Sequence, residues 1–458
     1  MIPMWWSLGK ETVLTKAVNN IDAVTVNLAH AYDDTQDKYI KTIMKLDSSK
    51  TILLELEWPI IRNKAVDAVS YKVWDKLLLD FSDYFEKEEW KIFINYVYTD
   101  DIPVDTKIGF ADSAMMIQVK SKDNLWQLTV ECIIAGEILS NKRVIFYEYT
   151  PKIDFVNSRD SRDLLWWIGN NVNTVMASYV KTAEDMISLR RFLDDNGGKH
   201  VKIFAKCQTE EFLLNYAQIS KNSDGVIIKP SKLKELTNDH DESYKRIVED
   251  FNYHGKPIVV AVDKSELDAQ EDIQAYLEWY VYAGAGCILL GQDILSLEDP
   301  TDYIIEIYQY ISAIHWIPKQ EINFKEAKID DEYKINDYIT YSGYRAITEL
   351  GIRAVICYTE NGYTAAKLSS YRPDIPVVAF TKNDATYRYI NLLRAIRGYR
   401  ISPSFDYHSI KQTGKEIIRM IFKWSITLED RILVVHASNL DVGENIINGL
   451  EIYKFKDI

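Results

Sequence analysis

Two runs of this sequence are the clearest indication of its fold, V-K-I-F-A-K-C-Q at residues 201–208 and G-V-I-I-K-P-S-K at residues 225–232. Each begins with a continuous stretch rich in β-branched and aromatic residues, which indicates a strand buried on both faces in a parallel sheet. Each also ends in polar residues, among them Lys206, Gln208 and Lys232. Because parallel barrels carry their functional side chains at the carboxyl ends of the strands, these residues are the first candidates for a functional site.

Strand-like runs alternate with helical patterns through the rest of the chain, which is typical of parallel α/β architecture. Eight such runs occur in the main body, and eight strands with intervening helices predict a (β/α)8 TIM barrel. The predicted strands are residues 4–6, 23–28, 52–56, 174–178, 201–205, 225–228, 257–261 and 286–290.

The spacing of these runs divides the chain into three predicted domains. Between the third and fourth strands, strand-like segments with alternating polarity predict a small all-β domain inserted in a barrel loop. A polar linker at 318–332 precedes a second α/β unit with the runs A-V-I-C-Y, V-V-A-F-T and R-I-L-V-V-H. The predicted domains are the barrel at 1–62 and 151–317, the inserted β domain at 63–150, and a C-terminal α/β domain at 318–458.

The composition indicates a soluble protein with large buried cores. Hydrophobic residues make up 47% of the 458 residues, and 54 basic against 68 acidic side chains give a net charge of −14. That charge argues against nucleic acid or an anionic membrane as the partner. The four cysteines lack C-x-x-C spacing, which favours buried reduced thiols. The sequence shows no apolar run of transmembrane length and no N-terminal segment typical of a signal peptide, so we expect a cytoplasmic protein.

The motifs at three places in the chain resemble those of the pyruvate kinase family. The segment at 354–373, A-V-I-C-Y-T-E-N-G-Y-T-A-A-K-L-S-S-Y-R-P, is similar to the family's strand, T-E-S-G loop, helix and Y-R-P sequence. The segments K-C-Q-T at 206–209 and S-D-G-V-I-I-K at 223–229 resemble the family's K-I-E-N and S-D-G-I-M-V-A-R. The resemblance covers nearly the whole chain. It implies a TIM barrel with an inserted β domain and a C-terminal α/β domain. Family members transfer the phosphoryl group of phosphoenolpyruvate to ADP with Mg²⁺ and K⁺.

Five positions keep the residue type that the family uses. Lys206 matches the lysine that stabilises charge on the phosphoryl group. Asn27 and His30 match a potassium ligand and a histidine that contacts the nucleotide, and Pro59 and Arg62 match residues after the third strand. The resemblance implies that these are remnants of a catalytic and nucleotide-binding site.

Other positions of the family's site carry a different residue. Gln208 and Lys232 stand in place of the Glu and Asp that hold magnesium, Thr25 in place of the arginine that clamps the phosphoryl group, and Val262 in place of a threonine that relays a proton. Magnesium takes oxygen ligands, whereas lysine offers only a positive charge and donors. Valine has no proton to transfer. We therefore expect neither Mg²⁺ nor K⁺ as a cofactor of this chain.

The second and third strands carry further substitutions. Ala29 and Leu56 replace hydroxyl ligands, Glu57 reverses the charge of a lysine, and Glu55 keeps an acidic charge on a longer side chain. Because a partly buried ion needs a compensating partner, we hypothesise that Lys232 occupies the magnesium position and pairs with Glu57 or Glu55.

The loop after the first strand of the C-terminal domain is a candidate effector site. Thr359, Asn361 and Gly362, followed by Thr364 in a helix, place backbone N–H groups where an anion could bind. Relatives regulated by a sugar phosphate hold the phosphate there. Glu360 would repel phosphate, and an ordinary strand-to-helix turn is the alternative.

Three functions remain open from the sequence. We favour a non-catalytic paralogue, structural or regulatory, that forms a homo- or hetero-oligomer with a competent pyruvate kinase subunit. The first alternative is a divergent active pyruvate kinase whose site has been rebuilt with the carboxylates of Asp263 and Asp293. The second is a metal-free sensor that binds a small-molecule anion. Its candidate ligands are Lys206, Lys229, Lys232 and Arg62.

Overall fold

The structure of the protein, a computed structural model, describes most of the chain. The described residues are 4–7, 21–27, 40–43, 45, 50–56, 61–63, 68–81, 90–94, 96, 102–110, 114–124, 126–139, 142, 144–149, 154–169, 173–291, 293–294, 297–314, 334–437 and 448–458.

The first strands of the barrel lead into an inserted unit. The barrel strands are β1 (Met4–Ser7), β2 (Ala23–Asn27) and β3 (Thr51–Glu55). Residues Glu57–Arg159 then form a compact unit of their own. Its strands are β4 (Val69–Tyr71), β5 (Lys76–Asp80), β6 (Lys91–Phe93), β7 (Lys107–Phe110), β8 (Met115–Asn124), β9 (Gln127–Ile134), β10 (Gly136–Ile138) and β11 (Val144–Tyr147). Six of these strands form one sheet in the order β11-β7-β8-β9-β5-β6, and β4 pairs with β10.

Five further parallel strands complete the barrel. They are β12 (Thr174–Ala177), β13 (Lys202–Cys207), β14 (Gly225–Ile228), β15 (Ile258–Val262) and β16 (Cys287–Leu290). The order around the closed barrel is β1-β16-β15-β14-β13-β12-β3-β2. Helices that alternate with these strands or follow them are α1 (Ser158–Gly169), α2 (Ala183–Asp195), α3 (Glu210–Asn222), α4 (Pro230–Leu236), α5 (His240–Tyr253), α6 (Lys264–Asp268), α7 (Ile273–Ala283) and α8 (Thr301–Ala313).

The C-terminal α/β domain surrounds a five-stranded sheet. Its elements are α9 (Lys334–Leu350), β17 (Ile352–Tyr358), α10 (Tyr363–Ser370), β18 (Val377–Thr381), α11 (Asp384–Ile390), β19 (Ile396–Arg400), α12 (Tyr407–Phe422), β20 (Arg431–Ala437), β21 (Asn448–Lys454) and a 3₁₀ turn, Phe455–Asp457. The strand order is β19-β18-β17-β20-β21, and only the β20–β21 pair within this sheet is antiparallel.

The predicted fold class is confirmed. Each of the eight predicted barrel strands is present within about two residues of its predicted bounds, and the three predicted strands of the C-terminal domain correspond to β17, β18 and β20. The continuous apolar runs form these strands because both faces of the barrel sheet are buried, as in β14, where every residue is buried.

The predicted domain boundaries remain predictions. The predicted insertion, 63–150, lies within the compact unit Glu57–Arg159, and the barrel belongs with the C-terminal domain to a second compact unit, Met1–Leu56 with Asp160–Ile458. The predicted boundary at residue 318 lies outside the described residues.

Side chains of the C-terminal domain bond to the barrel at several points of this second unit. Lys367 donates to the carbonyl of Tyr253 at 2.7 Å, and Arg372 donates to the carbonyl of Tyr282 at 3.1 Å. From the barrel side, the Thr51 hydroxyl donates to the carbonyl of Arg388 at 2.9 Å. These polar bonds fix the C-terminal domain against the end of the barrel at which strands such as β3 begin. Within the described ranges, no helix is both long and apolar enough to span a membrane.

Candidate functional site

The candidate site lies at the carboxyl ends of the barrel strands. Lys206 is the penultimate residue of β13, Glu55 ends β3, and Lys229 and Asp263 directly follow β14 and β15. Because the strands are parallel and in register, with Lys206 opposite Ile227 and Ile228 opposite Val260, these polar groups emerge at the same end of the barrel.

The retained lysine has an internal counterion. The ammonium of Lys206 forms an ion pair with the carboxylate of Glu55 across the intervening strand β12. The side chains are only 16% and 18% exposed, so both charges are largely removed from water. Burial of either charge alone would be costly, and the pair compensates this cost only while both partners are present. Glu55 therefore neutralises the side chain that the sequence marks as the catalytic remnant.

A second ion pair lies on the neighbouring strands. Lys229 pairs with Asp263, and their side chains are 38% and 29% exposed. The other carboxylate that a rebuilt metal site would need, Asp293, accepts the N–H groups of Lys264 and Ser265 at 2.8 Å each. A carboxylate at this position caps the first turn of α6. Both carboxylates proposed for a rebuilt site thus already have partners within the barrel.

The hypothesis that Lys232 pairs with Glu55 is wrong. Lys232 pairs instead with Glu235 at 2.6 Å, and the two side chains are 37% and 64% exposed. The ammonium of Lys232 lowers the pKa of Glu235 through this hydrogen bond. Pro230 occupies the first turn of α4, so the chain turns into a helix immediately after β14 and the partner comes from three residues along the same helix. Glu57, the other proposed partner, lies outside the described residues.

Gln208 has a structural partner of its own. Its amide oxygen accepts the backbone N–H of Tyr179 at 3.0 Å. Tyr179 follows β12 and has φ = 53°, in the left-handed region that non-glycine residues seldom adopt. The side chain of Gln208 therefore holds a tight turn at the end of the neighbouring strand.

The residues present do not fit a magnesium ion. Magnesium requires several oxygen ligands in nearly octahedral geometry. Of the two positions where the family has carboxylates, one carries an ammonium and the other an amide oxygen that is already engaged. Across the described ranges, no group of three or more His, Cys, Asp or Glu side chains is placed to hold a metal ion.

The remaining predicted positions are buried, partly buried or outside the described residues. Thr25, Leu56 and Val262 are at most 2% exposed and belong to the barrel core. Arg62 lies in the inserted unit. The structure describes only the backbone of Asn27, and the other predicted positions lie outside the described residues. These are Ala29, His30 and Pro59.

The anion-sensor alternative loses three of its four proposed ligands to internal pairing. Lys206, Lys229 and Lys232 each have a carboxylate partner, so these cations do not form a positively charged patch. A small-molecule anion at this site stays a prediction.

The loop of the C-terminal domain has the geometry of a turn. Thr359, only 1% exposed, accepts the N–H of Gly362 through its hydroxyl at 3.1 Å, and Asn361 accepts the N–H of Tyr363 at 3.1 Å. Gly362 has φ = 90° and Thr364 is 2% exposed. Side chains of the loop thus engage donors that an anion would need, and effector binding here stays a prediction.

Sequence reasoning missed a buried polar cluster at the junction of the barrel and the C-terminal domain. Lys367 forms an ion pair with Asp337 at 3.3 Å, and both side chains are 7% exposed. The hydroxyl of Tyr363 donates to the same carboxylate at 2.5 Å. Tyr363 and Lys367 lie four residues apart on α10, and this spacing was the available signal that they share one face.

Comparison with known proteins agrees with this architecture. The family model described as pyruvate kinase, barrel domain, matches residues 8–271, and the model described as pyruvate kinase, alpha/beta domain, matches residues 337–448. The fold and these matches define a protein of the TIM-barrel class with an appended α/β domain. The chain belongs to the pyruvate kinase family.

Similar proteins extend over most of the chain. A pyruvate kinase of Geobacillus stearothermophilus is 24% identical and covers 84% of this chain and 68% of its own length. A pyruvate kinase of Bacillus licheniformis is 24% identical over 99% of this chain and 79% of its own length. Pyruvate kinase 2 of Saccharomyces cerevisiae is 24% identical over 89% of this chain and 85% of its own length. The crystal structure of Cryptosporidium parvum pyruvate kinase superimposes with a TM-score of 0.76 over 99% of this chain and 97% of that chain, at 16% identity. At that identity the structural likeness concerns the fold.

Proposed function

We propose that this chain is a non-catalytic member of the pyruvate kinase family that acts as a structural or regulatory subunit beside a catalytically competent pyruvate kinase. The observation that carries the proposal is the ion pair of Lys206 with Glu55. It commits Lys206, the retained lysine of the phosphoryl site, to a partner in the same chain.

The chemistry of phosphoryl transfer explains why this pairing matters. Such transfer depends on fixed positive charge aimed at the transferred group. Here Lys206 is neutralised, a threonine stands in the place of the clamping arginine, and that threonine, Thr25, is 2% exposed. The position from which a proton would be relayed is Val262, which is fully buried. These changes affect separate steps of one mechanism, so compensation at one position would not restore the others.

A divergent active pyruvate kinase is the second candidate. Its support is that the curated relatives carry the name pyruvate kinase and that Lys206 is retained. This candidate requires Glu55 to release Lys206 when substrate binds, and it requires metal ligands other than Asp263 and Asp293 in their present arrangement.

A coupled assay separates the two candidates. Pure protein is given phosphoenolpyruvate, ADP, Mg²⁺ and K⁺, and pyruvate is followed through lactate dehydrogenase, with a known pyruvate kinase as the positive control. We expect no turnover above the blank in the wild type or in the matched variant Lys206→Met. Turnover in the wild type that Lys206→Met abolishes would overturn the non-catalytic proposal and establish the active enzyme.

Assembly with a partner is tested separately. The exposed apolar side chains Ile335 and Tyr338 on α9, which are 64% and 60% exposed, support it. We expect the chain mixed with the catalytic pyruvate kinase of the same cell to form a hetero-oligomer in mass photometry and to change that enzyme's KM or kcat. Two species that keep their separate masses and rates would contradict the subunit role without bearing on catalysis.

A further inference from the structure

Two arginines of the C-terminal domain meet the barrel at a small cavity. Arg372 follows α10, Arg394 follows α11, and both line a cavity of about 20 Å³. The barrel contributes the opposite wall, which includes Lys256 and Gly284. The cavity therefore lies where the C-terminal domain docks on the barrel.

Arg394 is buried without a complete set of hydrogen bonds. The residue is 6% exposed, and its Nη1 atom has no hydrogen-bond partner among the described residues. A buried guanidinium donor that lacks an acceptor costs free energy, because folding removes it from water. The unpaired Nη1 indicates that an acceptor belongs beside it.

Arg372 is held toward the same cavity by the backbone. Its Nη1 donates to the carbonyl of Tyr282 at 3.1 Å, in the last turn of α7, where the carbonyl groups attract a cation. Arg372 itself has φ = 51°, and its Nη2 would lie 2.4 Å from a Cβ atom at Gly284, where the helix ends. The left-handed backbone of Arg372 and the absence of a side chain at Gly284 together allow this second guanidinium group to lie beside the cavity.

No carboxylate lines the cavity in the described part of the chain. Its polar lining consists of the two arginines, Lys256, Asn252, Ser369 and Ser370. The Ser369 hydroxyl donates to the carbonyl of Arg394 at 2.8 Å, and the Ser370 hydroxyl donates to the carbonyl of Lys367 at 2.8 Å, so both hydroxyl protons are used. The head group of Lys256 donates to the carbonyls of Ser220 and Lys221.

Other cations at the same junction have acidic partners. Lys367 pairs with Asp337 at 3.3 Å, and Lys202 pairs with Asp224 at 3.2 Å. Burial, together with the nearby charge of Arg372, lowers the pKa of Arg394 to about 9. Because arginine keeps its proton in proteins, both guanidinium groups carry a positive charge at neutral pH. Among the described residues neither arginine has a carboxylate partner, so the buried charge of Arg394 and the partly buried charge of Arg372 distinguish this cavity from its surroundings.

We propose that this cavity binds a small inorganic anion of the halide class, chloride, between Arg372 and Arg394. A volume of about 20 Å³ holds one particle of the size of a water molecule. A monoatomic anion meets this limit, whereas phosphate or a carboxylate metabolite is too large. Water would satisfy Nη1 but would leave both charges uncompensated. Because the arginines belong to the C-terminal domain and the facing wall to the barrel, the anion stabilises the docking of the two.

Bromide, which scatters anomalously, tests the site in the wild-type protein. Crystals grown in sodium bromide should show an anomalous peak within hydrogen-bond distance of Arg394 Nη1. Bromide peaks found only elsewhere, or a cavity that contains only water in concentrated bromide, would overturn the proposal.

Stability in matched salts gives an independent measurement. At equal ionic strength, the urea midpoint of the full-length protein should be higher in sodium chloride than in sodium gluconate, whose anion is too large to enter, and should rise with chloride concentration. The variant Arg394→Met should lose this chloride-specific shift. The control Arg400→Met, which removes an exposed pair with Asp384, should keep it. An equal shift in both variants would refute the site, and if Arg394→Met does not fold, the wild-type measurements decide.

Discussion

The ion pair between Lys206 and Glu55 is the feature whose energetic coupling is most directly measurable. Removing one partner by Lys206→Met or Glu55→Gln leaves the other charge largely buried. Loss of one partner costs 3–5 kcal/mol for fully buried pairs and about 0.2–1 kcal/mol for exposed ones. The side chains here are 16% and 18% exposed, so the expected cost of either single variant is about 2 kcal/mol.

The double variant Lys206→Met/Glu55→Gln removes both charges together. We expect it to cost no more than either single variant, since no charge is left unpaired, which gives a coupling free energy of at least about 2 kcal/mol. The assay is equilibrium urea unfolding of the four proteins, followed by circular dichroism. Additive single-variant effects, with a coupling below about 0.3 kcal/mol, would refute the pairing of these two side chains.

The exposed pair Lys232–Glu235 provides the matched control. It joins the same residue types three positions apart on α4, with 37% and 64% of the side chains exposed. The corresponding cycle of Lys232→Met and Glu235→Gln should give a coupling of at most about 0.5 kcal/mol. A large cost of Lys232→Met that Glu235→Gln does not share, with little coupling between the two, would instead indicate that Lys232 has another partner.

Two further expectations concern stability. Gly362→Ala should lower the free energy of unfolding by more than about 1 kcal/mol, because φ is 90° and the new Cβ would lie 2.8 Å from Tyr389. Gly169→Ala, at a helix end with open space, should change it little, and equal effects would contradict the turn geometry. Burial raises the pKa of Cys207 and of Cys357 to about 12, so the unfolded thiols release protons from about pH 9 while the native ones do not. Stability present below pH 9 should therefore fall as pH rises from about 9 to 12, and urea midpoints should fall less steeply in Cys207→Ala/Cys357→Ala.

The pattern of apolar residues along the sequence predicted the barrel because its strands are buried on both faces. A strand buried on both faces reads as a continuous apolar run, as in Gly225–Ile228, and no tertiary information is needed to recognise it. The sequence pattern did not predict the two edge strands of the C-terminal sheet, Ile396–Arg400 and Asn448–Lys454, because they lack a continuous apolar run. Each pairs on one side only and mixes charged or polar residues with apolar ones, as in I-R-G-Y-R.

Motif matching identified the positions of the candidate site but not their partners. Gln208 and Lys232 lie beyond β13 and β14, where one bonds to the backbone of Tyr179 and the other to Glu235. Partner choice depends on the direction in which the chain leaves each strand. Pro230 was a readable signal that a helix begins at once, and this would have directed Lys232 toward its own helix. The left-handed turn at Tyr179 had no comparable signal, since tyrosine seldom adopts that conformation.

The polar groups at the carboxyl ends of the barrel strands bond to one another in separate pairs. These pairs affect which substitutions could make the site bind a phosphorylated substrate. Lys206 is paired with Glu55, Lys229 with Asp263, and Gln208 holds the turn at Tyr179. Replacing Gln208 by glutamate would restore one carboxylate of the family's site, but that carboxylate would still face the Tyr179 N–H, and Lys206 would still be neutralised. A phosphorylated substrate would have to compete with two internal carboxylates for the cations it needs. Phosphoryl transfer at this site would therefore require that these pairs be separated first, and their stability opposes that separation independently of any single metal ligand.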